Sequence, residues 1–225
     1  PQAGEERPET GIRRKELSIG KIPGYYPTPQ PVADLLLQHI ALNAGDCVLE
    51  PSAGKGDLAE AVRNRYTGVA IDCVEWNYTL GEILELKGFN LLGSDIFEVQ
   101  PGETLYNAVV MNPPFEKGTD CKHIRHVYDT FLAPGGTLVS VMGASVKFRE
   151  QNPYADFREW LDEQGGQIFD LPDGAFKESD RSTGVSTVYV VIHKANVDGT
   201  MPDKPSLDEI KVVHKAHPDV IPGAS

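Results

Sequence analysis

Several features that are absent or scarce in this sequence narrow the class of protein. Its 225 residues contain no apolar run long enough to span a membrane, and the charged first residues are followed by no apolar segment of a secretory signal. The three cysteines cannot all pair with one another, and no spacing of cysteine and histidine resembles a zinc site. We therefore expect a cytoplasmic protein with reduced thiols, no membrane partner and no bound metal.

Positive charge is also scarce. The chain has 21 basic and 33 acidic residues, a net charge of −12 at pH 7, which argues against a generally basic surface that binds nucleic acid. The deficit is uneven, because residues 111–160 contain six positive and six negative side chains. Any phosphate contacts are therefore expected near a few cations: Lys117, Lys147, Arg149 and Arg181.

Strand-like and helix-like apolar patterns alternate along the chain. Short β-branched runs such as Val69–Val74 are separated by segments whose apolar residues recur at helical spacing. This alternation predicts an α/β domain with one doubly wound sheet of about seven strands, mostly parallel, with an antiparallel last strand over Gly184–His193. Pro134-Gly135-Gly136 predicts the end of a helix over His123–Leu132 and a following strand over Thr137–Met142.

The two ends of the chain differ from the middle in composition. Residues 1–24 are polar and rich in glycine and proline, and Asp, Pro, Gly and Lys dominate residues 196–225. We predict a flexible N-terminal arm over 1–24, a folded domain over 25–195 and a C-terminal tail over 196–225.

The first strand leads into a helix through the turn Glu50-Pro51-Ser52-Ala53-Gly54-Lys55-Gly56-Asp57. Two glycines in such a turn let the backbone approach a ligand closely and point helix N–H groups at it. The spacing differs from a Walker loop and from the full dinucleotide motif. The second strand ends at Glu75-Trp76, where an acidic residue holds ribose hydroxyls in this architecture. The pattern indicates a nucleotide-type cofactor.

Asn112-Pro113-Pro114-Phe115 follows the apolar strand Tyr106–Met111. Neither proline can donate a backbone hydrogen bond, so strand pairing stops there. The motif leaves a side-chain amide, backbone carbonyl groups and an aromatic ring at the carboxyl end of the strand, which is the edge where open α/β sheets bind ligands. We interpret it as the centre of an active site; the alternative is a rigid turn without a catalytic role.

Together with Tyr26-x-Thr28-Pro29, the turn and this motif resemble class I S-adenosylmethionine-dependent methyltransferases that methylate amino groups. Tyr26-x-Thr28-Pro29 is similar to the opening cofactor motif of adenine-N6 DNA methyltransferases whose cofactor region precedes the catalytic motif. The resemblance extends from about Tyr25 to Lys194. It implies a Rossmann-like methyltransferase fold and methylation of adenine N6 in DNA, as in restriction-modification systems.

The resemblance also implies a set of cofactor contacts. Glu75 would bind the ribose hydroxyls, Trp76 would lie against the adenine ring, and Asp95 would accept from its amino group. Either Ile96 or Phe97 would cover the face of that ring. The residues assigned to S-adenosylmethionine in this way are Tyr26, Thr28, Pro29, Glu50, Ser52, Ala53, Gly54, Gly56, Glu75, Trp76, Asp95, Ile96, Phe97 and Asn112.

Catalysis is assigned to Asn112, Pro113, Pro114 and Phe115. An aromatic amino group is a poor nucleophile because its lone pair is delocalised into the ring. The Asn112 side-chain oxygen and the Pro113 carbonyl could each accept one N–H bond, which would align the nitrogen and free the lone pair for attack. Phe115 would stack on a base swung out of the duplex, with Phe176 as candidate for its opposite face. The predicted substrate-binding residues are Phe115, Lys117, Lys147, Arg149, Phe176 and Arg181.

Other substrates remain open at this point. Glutamine-N5 protein methyltransferases and guanine-N2 ribosomal RNA methyltransferases have a similar Asn-Pro-Pro-aromatic motif, and a non-catalytic subunit of a modification complex is a further alternative. Tyr26-x-Thr28-Pro29 and Ser52-Ala53-Gly54 favour DNA adenine over the other two substrates. A separate target-recognition domain has no room in this sequence, so we expect the loops 143–152 and 172–183, or a partner protein, to recognise the DNA.

Overall fold

The computed structural model describes residues 25–172, 174–176 and 186–202, together with Gly11 and Ile22. The strands in these ranges are β1 (Cys47–Glu50), β2 (Ala70–Val74), β3 (Asn90–Gly93), β4 (Tyr106–Met111), β5 (Leu132–Gly143), β6 (Gln167–Asp170) and β7 (Thr187–His193). The helices are α1 (Gln30–Leu37), α2 (Asp57–Arg65), α3 (Tyr78–Leu86), α4 (Thr119–Thr130) and α5 (Tyr154–Glu163), with short 3-10 helices over Glu116–Gly118 and Ala144–Lys147.

Some predictions concern residues outside these ranges. Most of the predicted arm over 1–24 and most of the predicted tail over 196–225 lie there, as do Arg181 and the predicted first residue of the last strand, Gly184. The domain limits at 25 and 195 and the role of Arg181 therefore stay predictions.

The strands form one sheet in the order β3-β2-β1-β4-β5-β7-β6. β1 pairs in parallel with β2 and β4, β4 pairs in parallel with β5, and β7 is antiparallel to β5 and β6. The predicted doubly wound, mostly parallel sheet with an antiparallel last strand is confirmed. The chain runs from β1 outward to β3 and then returns to β4 on the other side of β1. A crevice for a ligand therefore opens between the carboxyl ends of β1 and β4.

Both faces of the sheet are covered, which explains why its central strands are almost continuously apolar. In β4, Val109 and Met111 pack into the apolar cluster on one face, whereas Ala108 and Val110 pack into the cluster on the other. All four side chains are fully buried. This packing fixes the end of β4 at Met111 and therefore the position of Asn112, which follows it.

Two element boundaries differ from the prediction. α4 begins at Thr119 rather than at His123, and β5 already begins at Leu132. Leu132 pairs with Tyr106, after which the register of the pairing shifts. Pro134-Gly135-Gly136 therefore forms an irregularity inside a strand and does not separate a helix from a strand, because proline and glycine mark bulges as well as turns.

The described part of the chain has no helix that is both long enough and apolar enough to cross a membrane. Cys47, Cys73 and Cys121 are free thiols. Cys73 and Cys121 are buried in apolar clusters, so they contribute to the core.

Candidate active site

A cavity of about 470 Å³ opens at the carboxyl ends of β1, β2 and β4, beside the turn that follows β3. The predicted cofactor and catalytic residues that line it are Tyr26, Thr28, Glu50, Ser52, Ala53, Gly54, Glu75, Trp76, Asp95, Ile96, Asn112 and Pro114. Segments far apart in the sequence thus converge at the crevice that the strand order creates.

The turn after β1 brings backbone atoms to the cavity. Gly54 has a φ of 58°, and a Cβ atom at this position would lie 2.5 Å from the Tyr25 ring. Gly56 has a φ of 88°, and a Cβ atom there would lie 2.8 Å from the Leu84 side chain. Both positions need glycine, for the left-handed backbone and for the close approach. Gly56 is the N-cap of α2 and does not itself line the cavity.

Two buried carboxylates hold this turn. Glu50 Oε2 accepts a hydrogen bond from Ala59 N at 2.8 Å, which ties β1 to the first turn of α2. Glu75 Oε2 accepts one from Gly54 N at 2.7 Å, and Glu75 Oε1 accepts another from Asn77 N at 2.8 Å. Burial raises the pKa of both groups, and that of Glu50 lies well above its usual range. The glycine turn is therefore fixed from both sides.

The amide of Asn112 is oriented by residues 26–28. Its Nδ2 donates to Thr28 Oγ1 at 3.0 Å and to the Tyr26 carbonyl oxygen at 3.3 Å. A carbonyl oxygen can only accept, so the amide nitrogen must face Tyr26 and Oδ1 must point the other way. The segment that is predicted to contact the cofactor therefore also sets the orientation of the predicted catalytic amide.

Asp57 supports this segment, although the sequence pattern does not single it out. Its Oδ2 accepts a hydrogen bond from Thr28 N at 3.0 Å, and its side chain lines the cavity. Burial raises the pKa of Asp57. The contacts from Asp57 to Thr28 and from Thr28 to Asn112 link the first turn of α2 to the motif that is predicted to be catalytic. An acidic residue in the first turn of a helix is equally well explained by the helix dipole, so the sequence gives no specific signal for this role.

The turn after β3 contains the two residues that are predicted to cover the adenine ring, and it directs them differently. Ile96 is buried and lines the cavity, whereas Phe97 is 45% exposed, lies outside the cavity and packs on the rings of His123 and His126 at 4.9 and 4.7 Å. Asp95 Oδ1 accepts a hydrogen bond from Phe97 N at 2.9 Å, which fixes this turn.

His123 is a second lining residue that the sequence does not indicate. Its Nδ1 atom is buried and has no hydrogen-bond partner among the residues that the structure describes. Burial lowers the pKa of His123, so the ring is neutral at pH 7. Its place in the cavity depends on the packing of α4 against the turn after β3, where the His123 ring contacts Phe97, and the sequence pattern does not predict this contact.

Besides Gly56, three predicted residues of the motifs lie beside the cavity without lining it. Pro29 is the N-cap of α1, and Pro113 is the buried residue within the motif Asn112-Pro113-Pro114-Phe115. Phe115 is half-buried and faces the end of β5, where a Cβ atom on Gly143 would lie 3.5 Å from Phe115 Cβ. Phe115 packs against the same apolar cluster in which Phe176 is buried.

The predicted cations are spread over the neighbouring surface. Lys117 and Arg149 line a second, open depression. Lys147 Nζ lies 2.7 Å from Asp170 Oδ1, so its charge is partly compensated by an exposed ion pair. No contact among the described residues assigns these cations to a substrate, so their predicted roles stay predictions.

Comparison with solved structures identifies a Rossmann-like methyltransferase fold. A protein of Vibrio vulnificus YJ016 described as a modification subunit of a type I restriction enzyme matches with a TM-score of 0.63 and 18% identity, over 84% of this chain and 48% of its own. The type IIG restriction endonuclease BpuSI matches with 0.58 and 18%, over 84% and 28%. A Pyrococcus horikoshii protein described as an RNA methyltransferase matches with 0.57 and 17%, over 84% and 98%. At these identities the likeness establishes the fold alone.

The family is established by sequence. The profile of the methyltransferase small domain matches residues 29–159, more than half of the chain, so the protein belongs to this methyltransferase family. The chain spans about half the length of the Vibrio protein and less than a third of BpuSI. A search of curated proteins gave no significant match. Within the described ranges, no group of three or more His, Cys, Asp or Glu side chains could hold a metal ion.

Proposed function

We propose that the protein transfers a methyl group from S-adenosylmethionine to the N6 amino group of adenine in DNA. The orientation of Asn112 carries the proposal. Its amide nitrogen is bound by Thr28 and Tyr26 at the wall of the cavity, so its oxygen is the end that would meet an acceptor amino group.

The cavity supports this choice of cofactor by its size and chemistry. Its volume of about 470 Å³ lies within the range of roughly 300–1,000 Å³ that is usual for ligand pockets. The left-handed Gly54 would let the amino-acid end approach the backbone closely, beside the start of α2. Each oxygen of Glu75 accepts one backbone hydrogen bond and can accept a second, from the ribose hydroxyls. Asp95 and Ile96 would hold the adenine ring, and the exposed Trp76 would cover it.

When bound, S-adenosylmethionine supplies an electrophilic methyl group on a sulfonium centre. Asn112 Oδ1 and the Pro113 carbonyl would each accept one N–H bond of the acceptor amino group, which withdraws its lone pair from the ring and aims it at the methyl group. The two acceptors also stabilise the positive charge that develops on this nitrogen. The extra proton on the product nitrogen can leave to water after transfer, so no protein base is needed before attack.

Two observations support DNA as the substrate. Two of the similar structures belong to a modification subunit and a restriction endonuclease. Phe115, which closes the motif of Asn112, keeps a partly exposed ring that could stack on a flipped base. The net charge of −12 limits non-specific DNA binding. We therefore also propose that surface loops beside the cavity, or a partner protein, supply sequence recognition.

A guanine in RNA is the second candidate. The Pyrococcus protein described as an RNA methyltransferase has nearly the same extent as this fold, because the alignment covers 98% of it. The acceptor chemistry is the same, since a guanine amino group also needs two hydrogen-bond acceptors.

The proposal can be tested by offering DNA, RNA and protein in parallel with S-adenosylmethionine that carries a radiolabelled methyl group. Label should enter DNA with the wild-type protein and be lost with Asn112→Ala. Asn112-dependent labelling of RNA or of a glutamine side chain, with none in DNA, would retain the fold and the cofactor and overturn the substrate.

A further inference from the structure

The ring of Phe148 is exposed at the edge of the sheet that carries the active site. It is 67% exposed, and among the described residues between Leu105 and Val197 it is the one large apolar side chain at the surface. It directly follows the 3-10 helix Ala144–Lys147, which begins where β5 ends. A single exposed apolar side chain is common on protein surfaces, so a role for Phe148 follows only from the groups that surround it.

The backbone beneath Phe148 is held firmly. Arg158 Nη1 donates to the carbonyl oxygens of Val146 at 2.8 Å and Arg149 at 2.7 Å, and Arg149 N donates to Ser145 O at 3.0 Å. Phe148 is therefore presented to solvent on a loop whose ends are tied to α5 and to the preceding 3-10 helix. A ring on a fixed backbone loses little conformational freedom when it binds a partner.

Phe148 borders an open depression of about 680 Å³ between Lys117 and residues 148–154. Lys117, two residues after Phe115, lines it, and Gly118 lies so close to Pro153 that a Cβ atom there would collide with the proline ring. The Arg149 guanidinium lies 5.5 Å from the centre of the Tyr154 ring, which orients it. Lys117 has a φ of 54°, a strained conformation for a residue with a side chain, of the kind that clusters at ligand-binding sites.

The charge of the depression favours an anion. The carboxylate that lines it belongs to Glu150, and Glu150 Oε2 lies 3.4 Å from Arg158 Nη2. Glu116, which precedes Lys117, lines the cofactor cavity and not this depression. Lys117 and Arg149 therefore give the depression a local positive charge on a protein whose net charge is −12.

We propose that Phe148, Lys117 and Arg149 bind a nucleotide that adjoins the target base. The ring would stack on a neighbouring base, and the two cations would contact the flanking phosphates. This inference rests on the proposed function, because it presupposes a nucleic-acid substrate. A protein partner is disfavoured, because protein interfaces use contiguous apolar patches, whereas Phe148 is a single exposed ring in a depression that Lys117 and Arg149 also line.

The test measures binding of a fluorescein-labelled single-stranded DNA oligonucleotide by anisotropy. Phe148→Ala should raise Kd by roughly fivefold to a hundredfold, and Phe148→Trp should restore affinity, because any aromatic face can stack on a base. Leu105→Ala is the control. Leu105 is also an exposed apolar side chain, but it precedes β4 and so lies at the amino end of that strand, whereas the candidate active site lies at the carboxyl ends. It should leave Kd unchanged.

The two cations are tested by the salt dependence of Kd. Lys117→Ala and Arg149→Ala should each reduce the slope of log K against log salt by about 0.7, the loss of one phosphate contact on a single strand. Arg65→Ala, at the far end of α2, is the matched control and should leave the slope unchanged.

The outcomes separate the two proposals. If the wild-type protein methylates and binds DNA but Phe148→Ala behaves like Leu105→Ala, the nucleotide site is overturned and the proposed function stands. If the wild-type protein binds the oligonucleotide in a Phe148-dependent way but methylates only RNA or protein, the nucleotide site stands and the DNA substrate is overturned. Absence of oligonucleotide binding at low salt would overturn the nucleotide site.

Discussion

The proposed cofactor half and the proposed acceptor half of the candidate active site are built differently. In the cofactor half, around the turn after β1, the carboxylates of Glu50, Asp57 and Glu75 each accept a backbone hydrogen bond. In the acceptor half, residues 115–118 and 144–154, exposed side chains such as Phe148 project from the surface. The cofactor half is therefore fixed by buried hydrogen bonds between carboxylates and the backbone, whereas substitutions at the exposed side chains of the acceptor half should leave the sheet intact.

The largest effect is expected from Asn112→Ala, which acts where the two halves meet. Loss of one hydrogen bond to the developing charge should lower kcat by about a hundredfold or more, on the order of 3 kcal/mol. The Kd for S-adenosylmethionine should change little, because Asn112 acts mainly on the acceptor. Asn112→Asp keeps an acceptor oxygen but cannot donate to the Tyr26 carbonyl, so it should also be slow. Steady-state kinetics measures kcat, and calorimetry measures the Kd for S-adenosylmethionine. A rise in this Kd as large as the fall in kcat would assign Asn112 to cofactor binding.

A buried carboxylate that adjoins the acceptor half makes the stability of the protein depend on pH. Asp120 Oδ2 accepts a hydrogen bond from Gly143 N at 3.2 Å, and burial raises the pKa of Asp120 from 3.8 to about 6. Because the folded state then binds more protons than the unfolded state, the free energy of unfolding should fall as pH rises from about 4 to about 6. The Asp120 contribution is about 3 kcal/mol at most.

Asp120→Asn should remove this contribution, since an amide does not titrate. Urea unfolding of both proteins across this pH interval measures it, and the difference between their slopes isolates Asp120 from the other buried carboxylates. Parallel slopes would show that Asp120 does not retain its proton in the folded state.

In the cofactor half, Gly54→Ala should weaken S-adenosylmethionine binding by at least about tenfold. The left-handed backbone costs a residue with a Cβ atom about 1–2 kcal/mol, and this Cβ would also displace the Tyr25 ring. Gly88→Ala is the matched control, because Gly88 has a φ of 78° but a Cβ atom there would have no neighbour within 4 Å. It should lower stability and leave the cofactor Kd unchanged. Equal affinities of the two variants would contradict the close approach at Gly54.

The smallest effect is expected from Asp57→Ala, which removes the support of Thr28. Because one backbone hydrogen bond contributes about 0.5–1.5 kcal/mol, kcat should fall about threefold to tenfold. Asp57→Asn keeps an acceptor oxygen for Thr28 N and should recover most of the loss. If kcat stays constant in Asp57→Ala while only the melting temperature falls, Asp57 stabilises the fold without orienting Asn112.

The sequence predicts the sheet well because its strands and helices have distinct apolar periods. It does not predict the start of β5, because Pro134-Gly135-Gly136 is compatible with either a turn or a strand irregularity. In the site, residues at strand ends are predictable, since the strand order brings them together. Asp57 and His123 are not, because their place in the cavity depends on contacts between segments. Short-range pattern likewise cannot decide which of Ile96 and Phe97 faces the cavity.

The most direct test of the central claim is mass spectrometry of nucleosides from DNA incubated with the protein and S-adenosylmethionine. The wild-type protein should produce N6-methyl-2′-deoxyadenosine, and Asn112→Ala should produce about a hundredfold less or none. Methylated DNA in equal amounts from both proteins, or no methylated adenine from the wild-type protein, would contradict the account.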